Sequence, residues 1–247
     1  MAPLIRAPRP GVPDCGSPAR RRLRDGARLA LLACVAMLAS TNGSAATLSG
    51  TVVLREGGVP GADLTGAMVW FVPEGGAKPA PSPVAVEVAT RDRRFAPRTV
   101  AVPVGSTVRF PNSDPIKHNV FSVSPGNRFD LGLYGEGAGR TQRFDRPGLV
   151  RVYCNVHRTM SAFVLVLETP HYAPPDAEGR FALANLPEGP GTLHVWHPRA
   201  EAWSLAVHVP AGEPVTVTLD ATSPTVPPHL NKHGQPYPEP GRDERYR

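Results

Sequence analysis

Cysteine is scarce in this chain of 247 residues: only Cys15, Cys34 and Cys154. Aromatic residues are few, at 6%. No apolar run reaches the roughly twenty residues needed to span a bilayer as a helix. No helical stripe is evident after the first fifty residues. Thirty Pro and 24 Gly interrupt the chain, and both break helix interiors. Basic charge looks abundant, with a formal +6, but it is concentrated at one end. Residues 1–46 hold seven Arg against Asp14 and Asp25, which leaves twenty basic and nineteen acidic residues for the rest. Without a basic face interleaved with aromatics, nucleic-acid binding is excluded as an expectation.

What is present reads as all-β. After residue 46, short alternating or apolar runs rich in Val, Leu, Phe and Thr are bounded by Pro, Gly, Asn and Asp. Residues 1–46 read as an export signal. Arg20, Arg21, Arg22, Arg24 and Arg28 precede the apolar run Leu29–Ala39, and Ser44-Ala45-Ala46 supplies small residues for cleavage after Ala46. Arg20-Arg21-Arg22-Leu23 leaves a twin-arginine route open, and Leu31-Leu32-Ala33-Cys34 leaves a lipobox open. The expected exported protein is periplasmic or secreted, has no transmembrane segment, and keeps a single cysteine, Cys154. A lone thiol in an oxidising compartment needs a reason: burial, metal ligation or catalysis.

The strand signals are densest over 82–168, where about seven strands match a small β-sandwich. The flanking segments 47–80 and 169–221 each hold too few strands for a secure core. They are expected to pair with each other, with the middle domain inserted between them. Residues 222–247 are rich in Pro and charge and poor in apolar residues, the composition of a disordered tail.

The chemistry concentrates in Tyr153-Cys154-Asn155-Val156-His157-Arg158-Thr159-Met160. Strand alternation puts Val150, Val152 and Cys154 on one face, so the thiol points toward the core. A tight loop can then return His157 and Met160 to the same point, and His118 offers a second imidazole from an earlier strand. Two His, one Cys and a weak axial Met are the donor set of a blue-copper electron-transfer site. Structural zinc sites are more often built from Cys and His, or include a carboxylate.

Residues 84–167 resemble the cupredoxin family, of the plastocyanin and amicyanin type. The upstream match is Phe95-Ala-Pro97, Val104-Gly105-Ser-Thr-Val108-Arg-Phe110-Pro-Asn112-Ser-Asp114 and His118-Asn119-Val120-Phe121. The downstream match runs from Gly148 through Cys154 to His157 and Met160. The resemblance implies a Greek-key β-sandwich holding one type 1 copper on His118, Cys154, His157 and Met160. It also implies that Asn119 ties the two ligand segments together and turns its backbone N–H toward the sulfur. Val156 stands where those relatives often place Pro, which leaves an extra N–H near the site. Residues 47–73 with 171–220 resemble the carboxypeptidase-regulatory-like, transthyretin-like sandwich. The pieces are Gly50-Thr-Val52, Gly66-Ala67-Met-Val69, Asp176-Ala-Glu-Gly179-Arg-Phe181 and Asn185-Leu-Pro187. The whole arrangement resembles bacterial secreted proteins labelled methylamine-utilisation-like or plastocyanin-like.

The implied function is a periplasmic carrier of single electrons, not an enzyme, working with an unidentified redox partner protein. Two other readings stay open. One is a copper-binding or delivery module outside any redox chain, which the tail residues His229 and His233 would serve by loose copper uptake. The other is a hydrolase with Cys154 and His157 as nucleophile and base, for which no orienting third group is evident. No His-x-His pair occurs in the chain, so the further copper centres of copper oxidases are not expected. Leu193-His194-Val195-Trp196-His197 reads as a strand with one buried aromatic, or as an exposed docking patch. Arg158 reads as a solvated loop residue or as part of a partner surface.

Overall fold

The computed structural model describes residues 46–75, 80 and 82–238. The expected export signal therefore lies outside the described residues, save Ala46, which already pairs with Leu186 as the first residue of a strand. The described residues contain eighteen strands and no helix, and so none long and apolar enough to cross a membrane.

The first segment supplies β1 (Ala46–Glu56), β2 (Val59–Pro60) and β3 (Met68–Pro73). The middle begins with β4 (Ala85–Glu87), β5 (Ala89–Arg91), β6 (Arg94–Ala96), β7 (Thr99–Pro103) and β8 (Ser106–Asn112). It continues with β9 (His118–Ser122), β10 (Phe129–Tyr134), β11 (Gly137–Phe144), β12 (Gly148–Tyr153) and β13 (Ser161–Leu167). The last segment holds β14 (Tyr172–Ala173), β15 (Arg180–Leu186), β16 (Gly189–Trp196), β17 (Trp203–Val209) and β18 (Val215–Asp220).

Four sheets result. One runs β15-β1-β18, with β2 on β1, and another runs β14-β3-β16-β17. They unite the first and last segments around Leu48, Val52, Phe71, Phe181, Leu193 and Val217. Along β1 burial alternates from Ala46 to Leu54, as a half-buried strand requires. Gly50 interrupts that apolar face for want of space. A Cβ there would meet the Val215 carbonyl oxygen at 2.0 Å and the Phe181 ring at 2.7 Å.

The middle segment forms the other pair, β10-β9-β12-β13-β7 and β11-β8-β5-β6 with β4 on β8. Its core holds Phe95, Phe110, Val120, Phe144, Val150, Val152, Val164 and also Cys154 and Met160. Three of its strands escape the hydrophobic pattern. The β5–β6 hairpin turns through Asp92 and Arg93, both at positive φ (52° and 55°), with charged residues where Asn-Gly would be the usual signal. In β10, Gly132 at φ 71° breaks the alternation, and the ladder to β9 slips between Asp130 and Leu133.

Strand β13 is buried along its whole length. Ala162, Val164 and Val166 face the middle core, whereas Phe163, Leu165 and Leu167 join Met68, Ala101 and Trp196 in a third apolar cluster. The two sandwiches thus meet sheet against sheet, with the Phe163 and Trp196 rings edge to face at 5.2 Å. Trp196 is buried, and His194 stacks on Trp70 at 5.0 Å.

Residues 222–238, part of the segment whose composition reads as a disordered tail, form no named strand. Arg98 donates to the Thr225 carbonyl, and the segment goes on to pack beside Tyr153 and Asn155. Residues 239–247 lie outside the described residues.

Phe163 is 2% exposed at the junction of the sandwiches. Phe163→Ala is therefore expected to cost about 3–5 kcal/mol in urea unfolding, as large-to-small changes at well-packed aromatics do. A loss under about 1 kcal/mol would show that this junction is loosely packed.

Candidate metal centre

Two loops build the site. The first runs from Asn112 to His118. Asn112 is buried and organises it, its Oδ1 accepting from the Asp114 N–H at 2.9 Å and its Nδ2 donating to the Ile116 carbonyl at 2.8 Å. This turn delivers His118, fully buried, as the first residue of β9. The second loop follows β12. Cys154, fully buried, continues the inward face of Val150 and Val152. The Cys154 N–H donates to the Met160 carbonyl at 3.3 Å, and the Met160 N–H donates to the His157 carbonyl at 3.0 Å. These bonds fold the loop back, so that Met160 is buried in the same apolar cluster as Cys154.

The donor atoms converge. His118 Nδ1 lies 3.8 Å from Cys154 Sγ, His157 Nδ1 lies 3.6 Å from it, and the two Nδ1 atoms are 3.1 Å apart. Among the described residues, this is the group of His, Cys, Asp and Glu able to hold a metal ion. A point equidistant from the three atoms lies about 2.0 Å from each, which is a metal–imidazole bond length and slightly under the roughly 2.3 Å of a metal–thiolate bond. The triangle fits one ion.

Asp114, which sequence reasoning did not single out, fixes which nitrogen is available. Its Oδ2 lies 2.9 Å from His118 Nε2. An ionised carboxylate only accepts, so Nε2 carries the proton and Nδ1 presents a lone pair. Burial works against the Asp114 charge, but the backbone N–H groups of Arg93 and Asp92, with His118, outweigh it and hold the carboxyl below its usual range. A buried acid four residues before a buried histidine was the signal, hidden within a turn-like Asn-Ser-Asp-Pro sequence.

Burial, partly opposed by Asp114, lowers the His118 pKa. Burial together with the nearby His118 and Arg93 brings His157 down to about 4. Both imidazoles are thus neutral at ordinary pH. Burial pushes the Cys154 thiol up, against the pull of the Asn119, Val156 and His157 backbone N–H groups. The extra N–H expected at Val156 is among them. Cys154, His118 and Met160 are shielded, while His157 is partly exposed and is followed by the exposed Arg158.

Asn119 has a split role. Its backbone N–H faces the sulfur, but its side chain goes to β10 and not to the ligand loop, Nδ2 donating to Asp130 Oδ1 at 2.6 Å. His229 and His233 are absent from the donor group. His229 Nδ1 bonds the Pro227 carbonyl at 2.9 Å.

No family model and no curated protein matches the chain. Solved structures resemble part of it. A purple cupredoxin from Nitrosopumilus maritimus is 21% identical with a TM-score of 0.31, over 33% of this chain and 99% of that one. A reduced amicyanin variant is 23% identical with a TM-score of 0.32, over 34% and 82%. A copper-containing nitrite reductase from Thermus scotoductus is 26% identical with a TM-score of 0.32, over 40% of this chain but only 25% of that one. Likeness at this level decides nothing about chemistry, which is read from the donor atoms.

The low proton affinity of His157 sets a pH dependence in the metal-free protein. An unfolded imidazole takes up its proton near 6.5 and the folded one only near 4, so the unfolded chain binds more protons between those values. The stability linked to His157 is whole above about pH 6.5 and is lost as pH falls toward 4. Urea midpoints of the metal-free protein should decline across that window, and less steeply in His157→Phe. Asp114→Asn should weaken metal binding by about 10- to 100-fold in a competition titration.

Proposed function

We propose that the protein is an exported type 1 copper protein that carries single electrons, with His118, Cys154 and His157 as equatorial ligands and Met160 as the axial one. The observation that carries this is the triangle of two imidazole nitrogens and one sulfur, each pair within 3.8 Å. A copper ion held there would take up and return one electron, the soft thiolate and thioether favouring Cu(I) and the imidazoles also accepting Cu(II).

The chain's own residues suit that work. Asp114 holds the His118 ring in one tautomer, and the Asn119, Val156 and His157 N–H groups favour the thiolate over the thiol. The packed core around Cys154 and Met160 excludes water and resists displacement of the donors. His157, partly exposed, provides the edge at which an electron can pass to a partner protein. A hydrolytic reading is not favoured. Among the described residues no carboxylate bonds the His157 ring to orient it as a base, and its Nδ1 faces the His118 Nδ1 at 3.1 Å.

Loading with Cu(II) should give one ion per chain and an intense absorption in the red from thiolate-to-copper charge transfer. Reductant should bleach the band and oxidant restore it. Cys154→Ser should abolish the colour, whereas Met160→Leu should keep it and shift the reduction potential. A wild-type protein that binds Cu(II) and stays colourless under oxidising conditions would refute the assignment.

A further inference from the structure

The C-terminal segment bonds directly to the loop that carries Cys154, His157 and Met160, and to β10 beside the His118 strand. The Tyr237 hydroxyl donates to the Cys154 carbonyl at 3.0 Å, and the Lys232 backbone N–H donates to Asn155 Oδ1 at 2.9 Å. These two contacts grip the start of the Cys154–Met160 loop. The Lys232 ammonium lies 2.6 Å from Asp130 Oδ2, and the other oxygen of that carboxylate accepts from the Asn119 side chain at 2.6 Å and from the Gly132 N–H at 2.9 Å. Through Asp130, therefore, the segment also reaches the residue beside His118.

Aromatic packing joins the same parts. The His229 ring lies flat on Tyr153, the neighbour of Cys154, with centroids 3.8 Å apart and planes 10° from parallel. Tyr237 meets His229 edge to face at 5.2 Å, and Phe121 packs against Tyr153 at 6.0 Å. The His229 Nδ1–H is committed to the Pro227 carbonyl, which fixes its ring. Pro227, Pro228 and Pro236 set φ within the segment and so lower the entropy lost on docking it.

We propose that residues 225–237 are a strap that holds the two ligand-bearing segments in register, with His229, Lys232 and Tyr237 as positioning residues. The strap acts on the backbone of the ligand loop and not on the ion. Its effect on the loop stands without copper, and its effect on copper retention rests on the function proposed above.

The test uses the full chain carrying His229→Ala with Tyr237→Phe, beside His233→Ala as a control at an exposed strap position. Amide hydrogen exchange of the metal-free protein should be about fivefold faster or more over 154–160, the effect of losing roughly one hydrogen bond with its packing. The β13 and β16 amides should be unchanged, which separates a loosened loop from a destabilised fold. In the copper-loaded protein, loss of Cu(I) to a chelator should accelerate by a similar factor and the reduction potential should shift, with His233→Ala like wild type. Unchanged exchange over 154–160 in the double variant would overturn the strap whether or not the chain binds copper. Faster exchange in a protein that takes no copper would leave the strap standing and remove only the copper reading.

Discussion

The structure turns on holding three lone-pair donors within a triangle whose longest side is 3.8 Å. Two imidazole nitrogens at 3.1 Å repel each other unless a proton or a cation lies between them. The surroundings discourage a second proton on either ring. Burial lowers the proton affinity of both rings, and Asp114 already occupies the far nitrogen of His118. A neutral His157 relieves the repulsion if it carries its own proton on Nδ1 and donates to His118 Nδ1, and an ion held as proposed would displace that proton. The closed hydrogen bonds of the Cys154–Met160 loop, the Asn112-organised turn and the buried Met160 all hold that arrangement in place.

The sequence made the strongly periodic parts legible. Val150, Val152 and Cys154 alternate as written, and the Cys-x₂-His-x₂-Met spacing marks the loop. Asp114 was not legible because an acid among Asn, Ser and Pro looks like ordinary turn chemistry. Only its burial and its 2.9 Å contact with His118 reveal a different task. The charged turn of the β5–β6 hairpin hid in the same way, since its residues reach positive φ without glycine.

The C-terminal segment makes contacts that composition does not announce. Pro, Lys, His and Asn cannot form a core of their own, and disorder follows only if no surface awaits them. Here the waiting surface is the flat face of Tyr153, the Cys154 carbonyl and the Asp130 carboxylate. A one-dimensional pattern carries no record of such a surface, because Tyr153 reads simply as the outward neighbour of an inward cysteine. The same holds for β13. Its unbroken apolar run announced burial but not that its two faces serve different cores.

The double-sided burial of β13 bears on how far the half that holds the candidate site could be transplanted. A fragment cut at 82 and 168 would retain each proposed ligand, yet would leave Phe163, Leu165 and Leu167 bare along one sheet and would lose the C-terminal contacts. Such an excised module would tend to self-associate through that strip, as exposed apolar patches do. Moving this unit into another protein would therefore mean carrying its neighbouring sandwich along or giving Phe163, Leu165 and Leu167 a new cover.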